Sequence, residues 1–499
     1  MAVQTASISP DQPHELDLLA DPSLLRAAAY IGGAWMPAAD GTCFPVRDPA
    51  TGGDFQQVAN CGAEETRKAI DAAARAFSAW RSTLPQERAA LLRAWHEAIL
   101  AAREDLAILM TLEQGKPLEE SRGEIDYAAS FVEWYAEEAK RTNVESIASH
   151  LPNAEMSLQR VPVGVAGIVT PWNFPSAMVT RKAAAALAAG CTVVAHPSSW
   201  TPLSALALAA LADRVGFPAG LFNVVTGDAE RIVGMLCDDT RVRALSFTGS
   251  TEIGRLLAAR CAKTMKQLVM ELGGHAPLIV FDDADLKKAV EIAVPAKFAT
   301  SGQDCLAANR IYVQRKLYPA FCAAFAGRSA ALRVGRGFQP EAAIGPLMHE
   351  RAIEKLEDQV ADALAQGARC LTGGKRDDSG PLFYQPTVLA DVPDSARIMS
   401  EETFGPVAAI VPFDSETEVI TRANDSEYGL AAYLITQDQQ RIRRMREALE
   451  VGMIAVNRVK LTGAPVPFGG IKQSGLGREG SRHGMEAFTE LKYCCIDAA

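Results

Sequence analysis

The sequence predicts an α/β protein whose sheets are largely parallel and covered on both faces by helices. Three observations lead there. Between residues 165 and 251 short β-branched runs alternate with amphipathic stretches, a βαβα rhythm. A second alternating unit begins near residue 275. The chain has 499 residues, of which 48% are hydrophobic and 22% charged, ample for two to four domains with large cores.

Taken in order, residues 1 to about 25 read as a polar lead-in. Residues 30–51 (YIGGAWMPAADGTCFPVRDPAT) read as a β-meander with Gly, Asp and Pro turns. From 63 to 140 the period is helical, and Gly115 is placed to cap a helix C-terminus. A polar joint covers 142–153. Strands are then expected at 165–170, 192–195, 221–225 and 244–247, and helices at 178–189, 203–215, 229–237 and from about 251. The second unit carries strand candidates at 278–280, 310–313, 407–412 and 454–456. Two strand-like pieces, 156–161 and 490–496, stand apart. A helical spacing over 285–297 runs up to Ser301-Gly302, with Pro295 expected to kink or end it.

Composition excludes several classes of function. Net charge is −10, from 50 Lys and Arg against 60 Asp and Glu, with no long basic run, so neither nucleic acid nor an anionic membrane is an expected partner. The 10 cysteines contain no Cys-x-x-Cys pair and no Cys/His group at zinc spacing, so no metal site is expected. Free thiols in a reducing cytoplasm fit this usage. The first residues lack the basic start and apolar run of a signal peptide. The longest strongly apolar run, 183–195, is too short to span a bilayer.

Four stretches carry chemistry. Cys305 follows Gly302-Gln303-Asp304, on an expected loop where a ligand can reach its sulfur; a lone cysteine is more often a small buried hydrophobe. Thr170-Pro171-Trp172-Asn173-Phe174-Pro175 lies at the carboxyl end of a strand, where open α/β sheets bind ligands. It reads either as a Pro-bounded turn or as the support for an Asn173 amide that donates to an oxyanion. Glu271-Leu272-Gly273-Gly274 sets a carboxylate at a pocket edge, able to accept a proton from water or a thiol. Phe247-Thr248-Gly249-Ser250-Thr251-Glu252-Ile253-Gly254 crosses a strand-to-helix junction and suits a phosphate, though a plain helix cap reads the same way. It is not the G-x-G-x-x-G fingerprint.

In this order, and with Glu401-Glu402-Thr403-Phe404-Gly405-Pro406 and Pro467-Phe468-Gly469-Gly470-Ile471-Lys472-Gln473-Ser474-Gly475, these stretches resemble the NAD(P)-dependent aldehyde dehydrogenase superfamily from about residue 30 onward. WNFPSAMVTRKAAAALAAGC, FNVVTGDAE, ELGGHAPLIVFDDADLKKAV and PFGGIKQSGLGREGS look most like succinate-semialdehyde dehydrogenases. The resemblance implies a Rossmann-like cofactor domain (1–143 and 163–274), an oligomerisation hairpin (144–162), an α/β catalytic domain (275–474) and a C-terminal return with an oligomerisation strand (475–499). A homo-dimer or homo-tetramer is expected with it.

The resemblance also implies roles. Cys305 would attack an aldehyde to give a thiohemiacetal whose oxyanion Asn173 and the Cys305 N–H hold. Hydride loss leaves a thioester, Glu271 activates the water that hydrolyses it, and Lys182 is a candidate proton relay. Thr170, Pro171, Trp172, Gly227, Phe247, Gly249, Ser250, Leu272, Glu402 and Phe404 would bind cofactor, together with His196, Ser198 and Ser199. Arg181, Asp304, Lys460, Thr462 and Phe468 would face substrate. A CoA-acylating relative is disfavoured by Glu271, and a non-catalytic structural protein by the intact Cys305, Glu271 and Asn173.

Five positions depart from the pattern. His196 replaces a Lys and Ser199 replaces a Glu that repels a 2′-phosphate, so NADP is favoured, weakly, over NAD. Ala299 stands where succinate-semialdehyde dehydrogenases carry a carboxylate-binding Arg, so a neutral or cationic aldehyde is the alternative to a short aldehyde acid. Asp304 adjoins the thiol; at ~6 Å and an effective dielectric of ~20 its charge would raise the thiol by roughly two pKa units. It either faces the pocket, pairs with Arg181 or Lys460, or turns away. Ala307 removes a second cysteine that some relatives use as a redox switch.

Overall fold

The computed structural model describes residues 15–141 and 144–498. The lead-in expected over 1–14, and Thr142 and Asn143 of the expected joint, lie outside the described residues. The remainder of the lead-in is packed rather than a polar tail. Glu15–Leu18 and Pro22–Leu24 form 3-10 turns, and Leu19 and Leu24 are buried. Buried Asp105 ties the segment down by accepting from the N–H groups of Ala20 (2.8 Å) and Asp21 (3.0 Å).

Two extended sheets organise the chain. The first has eight strands, with five parallel ones at its centre in the spatial order Phe222–Val224, Thr192–His196, Val165–Val169, Val242–Thr248, Gln267–Glu271. The helices Ala177–Ala189, Pro202–Arg214, Ala229–Asp238 and Thr251–Cys261 make the crossovers. Strand order reverses between Val165–Val169 and Val242–Thr248, the switch point at which open α/β sheets bind nucleotides beyond the strands' carboxyl ends. The expected β-meander over 30–51 is divided. Ala29–Ile31 and Ala34–Met36 extend the large sheet at its edge, while Cys43–Arg47 pairs with Asp54–Ala59 in a separate two-stranded sheet.

The second sheet has seven strands in the order Arg369–Thr372, Thr387–Ala390, Val407–Phe413, Arg310–Gln314, Pro277–Val280, Ala431–Ile435, Met453–Val456. All pair in parallel except Arg369–Thr372 at the edge. Pro295 lies inside the helix Leu286–Phe298 and does not end it. Pro295 and Glu291, the residue whose carbonyl loses its helical donor, are both exposed, so water can satisfy that carbonyl. The two strand-like end pieces meet: Ala154–Pro162 pairs antiparallel with Thr489–Asp497, with Glu490 opposite Val161 and Ile496 opposite Glu155. The expected polar joint supplies the third strand of that small sheet, Val144–Ile147, which is exposed along its length. Among the described residues no helix is long and apolar enough to cross a membrane, and no group of three metal-binding side chains occurs.

The helix Ala177–Ala189 connects fold to chemistry. Its alanines allow close packing on both sides, and every residue in it is buried, Arg181 and Lys182 included. Its N-terminus is capped from a distance. Glu124 accepts from the N–H groups of Ser176 (3.0 Å) and Ala177 (3.2 Å) through one oxygen, and from Lys116 Nζ (2.6 Å) through the other. Both Lys116 and Glu124 side chains are 1% exposed, so removing one strands the other in an environment that cannot solvate it. Glu124→Ala is therefore expected to destabilise the protein by about 3–5 kcal/mol, measured by denaturant unfolding. A loss below ~1 kcal/mol would mean that the Lys116 ammonium is solvated after all.

Candidate active site

The thiol is delivered by a strained turn. The helix Leu286–Phe298 starts on Asp285, whose carboxylate accepts from Lys288 N–H (2.9 Å), and at its far end the chain turns through Thr300, Ser301 and Gly302 with φ of 51°, 56° and 72°. Two consecutive non-glycine residues in the left-handed region cost free energy and persist only when other contacts hold them. Both oxygens of Glu120 accept from Thr300 N–H (3.1 Å), Ser301 Oγ donates to Gly345 O (3.1 Å), and Gln303 bridges Pro346 O (3.2 Å) and Met348 N–H (3.1 Å). A Cβ on Gly302 would fall 2.3 Å from Gly405 O, so glycine is required there for contact as well as for φ. Cys305 emerges part-exposed in a cleft of about 330 Å³.

Two expected side chains, Asn173 and Glu271, stand near it, together with its own N–H. Asn173 Nδ2 donates to Gln303 O (2.9 Å), two residues before the thiol, while Lys116 Nζ donates to Asn173 O (2.7 Å) and fixes that backbone. The Cys305 N–H donates to no protein group among the described residues. Glu271 ends the strand Gln267–Glu271 and is 2% exposed, with both carboxylate oxygens unpartnered. The glycines after it let the two sheets meet: a Cβ on Gly274 would lie 2.1 Å from Cys305 O.

The charges around the thiol are unevenly paired. Arg181 Nε lies 2.5 Å from Glu479 Oε2, and Lys182 Nζ binds Glu479 Oε1 and Thr248 Oγ1 (2.6 Å). Ser246 Oγ also donates to Glu479 (3.1 Å). Burial pushes Glu479 upward, yet Arg181 and Lys182 together hold it below the usual carboxylate range. Glu271 has no such partner. Burial first, and the charge of Glu479 second, push it well above the usual range. Lys182 is lowered by burial. The Cys305 thiol is raised well above its ordinary value by enclosure, then by Asp304, Glu402 and Glu271.

On the substrate side, Arg181, Asp304, Lys460, Thr462 and Phe468 all line the cleft, as does Ala299. Asp304 is paired with neither Arg181 nor Lys460. Its Oδ1 accepts from Leu306 N–H (3.0 Å), and burial raises its pKa. Arg181 reaches the cleft with its charge already matched by Glu479 and its guanidinium 4.2 Å from the Phe468 ring centroid.

The cofactor-side residues gather at the switch point. Ser250 caps the helix Thr251–Cys261 by accepting from Ile253 N–H (3.4 Å), so the helix presents its first N–H groups beyond the strand end. A Cβ on Gly249 would press within 2.5 Å of the Phe247 ring, keeping the backbone bare there. Thr170 Oγ1 is buried without a partner. Pro171 and Trp172 follow, and Trp172 meets Phe404 edge-on with centroids 5.6 Å apart. Leu272 packs on Gly254 of the same helix. Glu402 accepts from Gly274 N–H (2.9 Å) and is raised to about 7 by burial. These orphaned and converging groups fit a dinucleotide.

Ser199 and Gly227 line a second cavity, of about 350 Å³, and Ser198 Oγ accepts from Trp200 N–H (3.3 Å). His196 differs from expectation. It is buried at the end of its strand with Nδ1 bound to Val225 O (2.9 Å), and burial lowers its pKa, so it is neutral and does not line that cavity.

Lys116, Glu120, Glu124 and Tyr127 escape the sequence reading because their stretch shows only a helical period. Glu479 escapes it although it stands inside a quoted motif, PFGGIKQSGLGREGS.

Comparison with known proteins agrees with this geometry. The aldehyde dehydrogenase family profile matches residues 35–494. The chain is 52% identical over 480 residues to the non-phosphorylating aspartate-semialdehyde dehydrogenase of Halomonas elongata, covering 96% of this chain and 97% of that one. It is 52% identical over 478 residues to the NADP(+) succinate-semialdehyde dehydrogenase of Escherichia coli, covering 96% and 99%. The crystal structure of an Escherichia coli NADP-dependent enzyme superposes with a TM-score of 0.95 at 51% identity, covering 96% of this chain and 100% of that one. With the thiol, the unpaired carboxylate and the clamped amide on shared ground, and with relatives matched along nearly its whole length, the chain belongs to the aldehyde dehydrogenase family, whose members use NAD(P).

Proposed function

We propose that the protein oxidises a short semialdehyde to its acid through Cys305, with NADP preferred over NAD. The observation that supports this best is Glu271: a buried carboxylate with no partner, beside a thiol whose charge environment it shares. The Cys305 sulfur adds to the aldehyde carbon, and its proton passes to Glu271. The Asn173 amide and the free Cys305 N–H donate to the resulting oxyanion. NAD(P), when bound, would supply the acceptor for the hydride lost from the thiohemiacetal carbon. Glu271 first passes the thiol proton on by way of Lys182, held on Glu479 and Thr248, to solvent, and then takes another from the water that attacks the thioester. Glu402 and Phe404 would hold the nicotinamide side and Ser250 the pyrophosphate.

The relatives named for succinate and aspartate semialdehyde, and the cleft residues Arg181, Thr462 and Lys460, support an aldehyde that carries a carboxylate. The domain plan 1–143, 144–162, 163–274, 275–474 and 475–499 is proposed with this reading. So is a dimer or tetramer built through the small three-stranded sheet. The free cysteines fit a reducing cytoplasm.

Cys305→Ala is expected to abolish aldehyde oxidation, and Glu271→Gln to give one stoichiometric burst of reduced cofactor and then stall. Steady turnover by Cys305→Ala would overturn the assignment. The raised thiol pKa sets a second expectation. Alkylation of Cys305 by iodoacetamide should speed up as pH rises, because thiolate appears only towards alkaline pH. Asp304 contributes to that rise, so Asp304→Asn should move the alkylation profile to lower pH. An unmoved profile would show that Asp304 carries no charge near the sulfur.

For the substrate, Ala299→Arg restores a second guanidinium to the cleft. It should raise kcat/KM for succinate semialdehyde by roughly 10- to 150-fold and leave a neutral aldehyde unaffected. If native enzyme oxidises the neutral aldehyde far faster and Ala299→Arg changes neither rate, the semialdehyde reading fails.

A further inference from the structure

We infer that Arg47 is the cation that recognises the adenosine 2′-phosphate of NADP, acting with Ser199 and with Asn60. The inference rests on the NADP reading above and names the residue that would produce it.

The second cavity lies outside the substrate cleft and is shaped by two different parts of the chain. Ser199 and Gly227 come from the loops that follow Thr192–His196 and Phe222–Val224, two adjacent parallel strands on one side of the switch point. The Ser250 helix begins on the other side of it, so a dinucleotide with its pyrophosphate at that helix extends its adenosine half towards Ser199. The opposite wall is the two-stranded sheet, which contributes Phe44 and Arg47 from Cys43–Arg47, with Asn60 just beyond Asp54–Ala59.

Charge singles out Arg47. It is the one cationic side chain among the residues lining this cavity. His196 is neutral, buried and engaged with Val225 O, so it supplies no charge here. Ser199 adds a hydroxyl and Asn60 an amide, both able to donate to a phosphate oxygen.

Arg47 is also oriented for the task. Its Nε donates to Asp54 Oδ1 (2.7 Å), and among the described residues its two terminal nitrogens make no hydrogen bond. The Arg47 side chain is 58% exposed and Asp54 41%, so their attraction is screened and does not lock the guanidinium away from a dianion. A guanidinium with a free end can fork onto two phosphate oxygens, a geometry that a lysine lacks. Asp228, next in sequence to the cavity residue Gly227, is engaged at the start of its own helix. It accepts from Arg231 N–H (3.1 Å) and lies 3.2 Å from Arg231 Nε.

Calorimetric binding of adenosine 2′,5′-bisphosphate and of 5′-AMP to the full-length enzyme separates the possibilities without relying on turnover. Native protein should bind the bisphosphate more tightly than 5′-AMP, with an affinity that falls as salt rises. Arg47→Ala should weaken the bisphosphate by about 10- to 100-fold while 5′-AMP affinity is retained. Arg47→Lys should recover part of the loss, which also guards against a misfolded Ala variant. If the native preference for the bisphosphate survives Arg47→Ala, Arg47 is not the phosphate ligand, although the NADP reading stands. If native protein binds the two ligands equally, the NADP reading itself is wrong and the inference goes with it.

Discussion

The site depends on a mismatch of buried charge. Two cations, Arg181 and Lys182, stand side by side on one buried helix, and both are claimed by a single carboxylate, Glu479. Were Glu479 absent, the next buried carboxylate able to answer them is Glu271, and pairing would lower its proton affinity. With Glu479 present, Glu271 stays unpaired and basic. Much else follows from keeping that arrangement dry. The alanine-rich helix excludes water from the pair, the Glu124 cap fixes where the helix starts, and Lys116 joins that cap to the backbone of Asn173.

The same dryness explains why the thiol is protonated at rest. Enclosure and three nearby carboxylates disfavour a thiolate, against the opposing charge of Arg181. A sulfur of this kind is slow towards adventitious electrophiles. Specificity is set apart from this machinery. Ala299, Asp304 and Thr462 share the cleft with Cys305 and can vary the charge that a substrate meets.

The alternating sheets were legible in the sequence because each strand and helix announces itself locally, and the stretches holding Cys305, Glu271 and Asn173 stand out by the glycines and prolines around them. Period-2 and period-3.6 patterns set the strands and helices, and glycines flank Glu271 and precede Cys305. What stayed hidden is long-range. Pro295 continues its helix because the freed carbonyl faces water, and the strand Ala431–Ile435 is a short apolar run that periodicity alone cannot assign. Glu120 holds Thr300 across 180 residues, and Glu479 reaches Lys182 across 297. His196 shows the limit of reading by position. The residue stands where a cofactor contact is expected, but burial and Val225 direct its ring inward.

The approach of Gly274 to the Cys305 carbonyl has an evolutionary consequence. It is a backbone-on-backbone contact between the two sheets, with room for no side chain at all on the glycine. The relative placement of thiol and base is thus insulated from most single substitutions, since no rotamer can adjust it. Lineages carrying this frame can exchange the walls of the cleft freely while the reacting groups stay in register. New substrates are then reached through small steps in charge and shape, and the reaction itself is inherited unchanged.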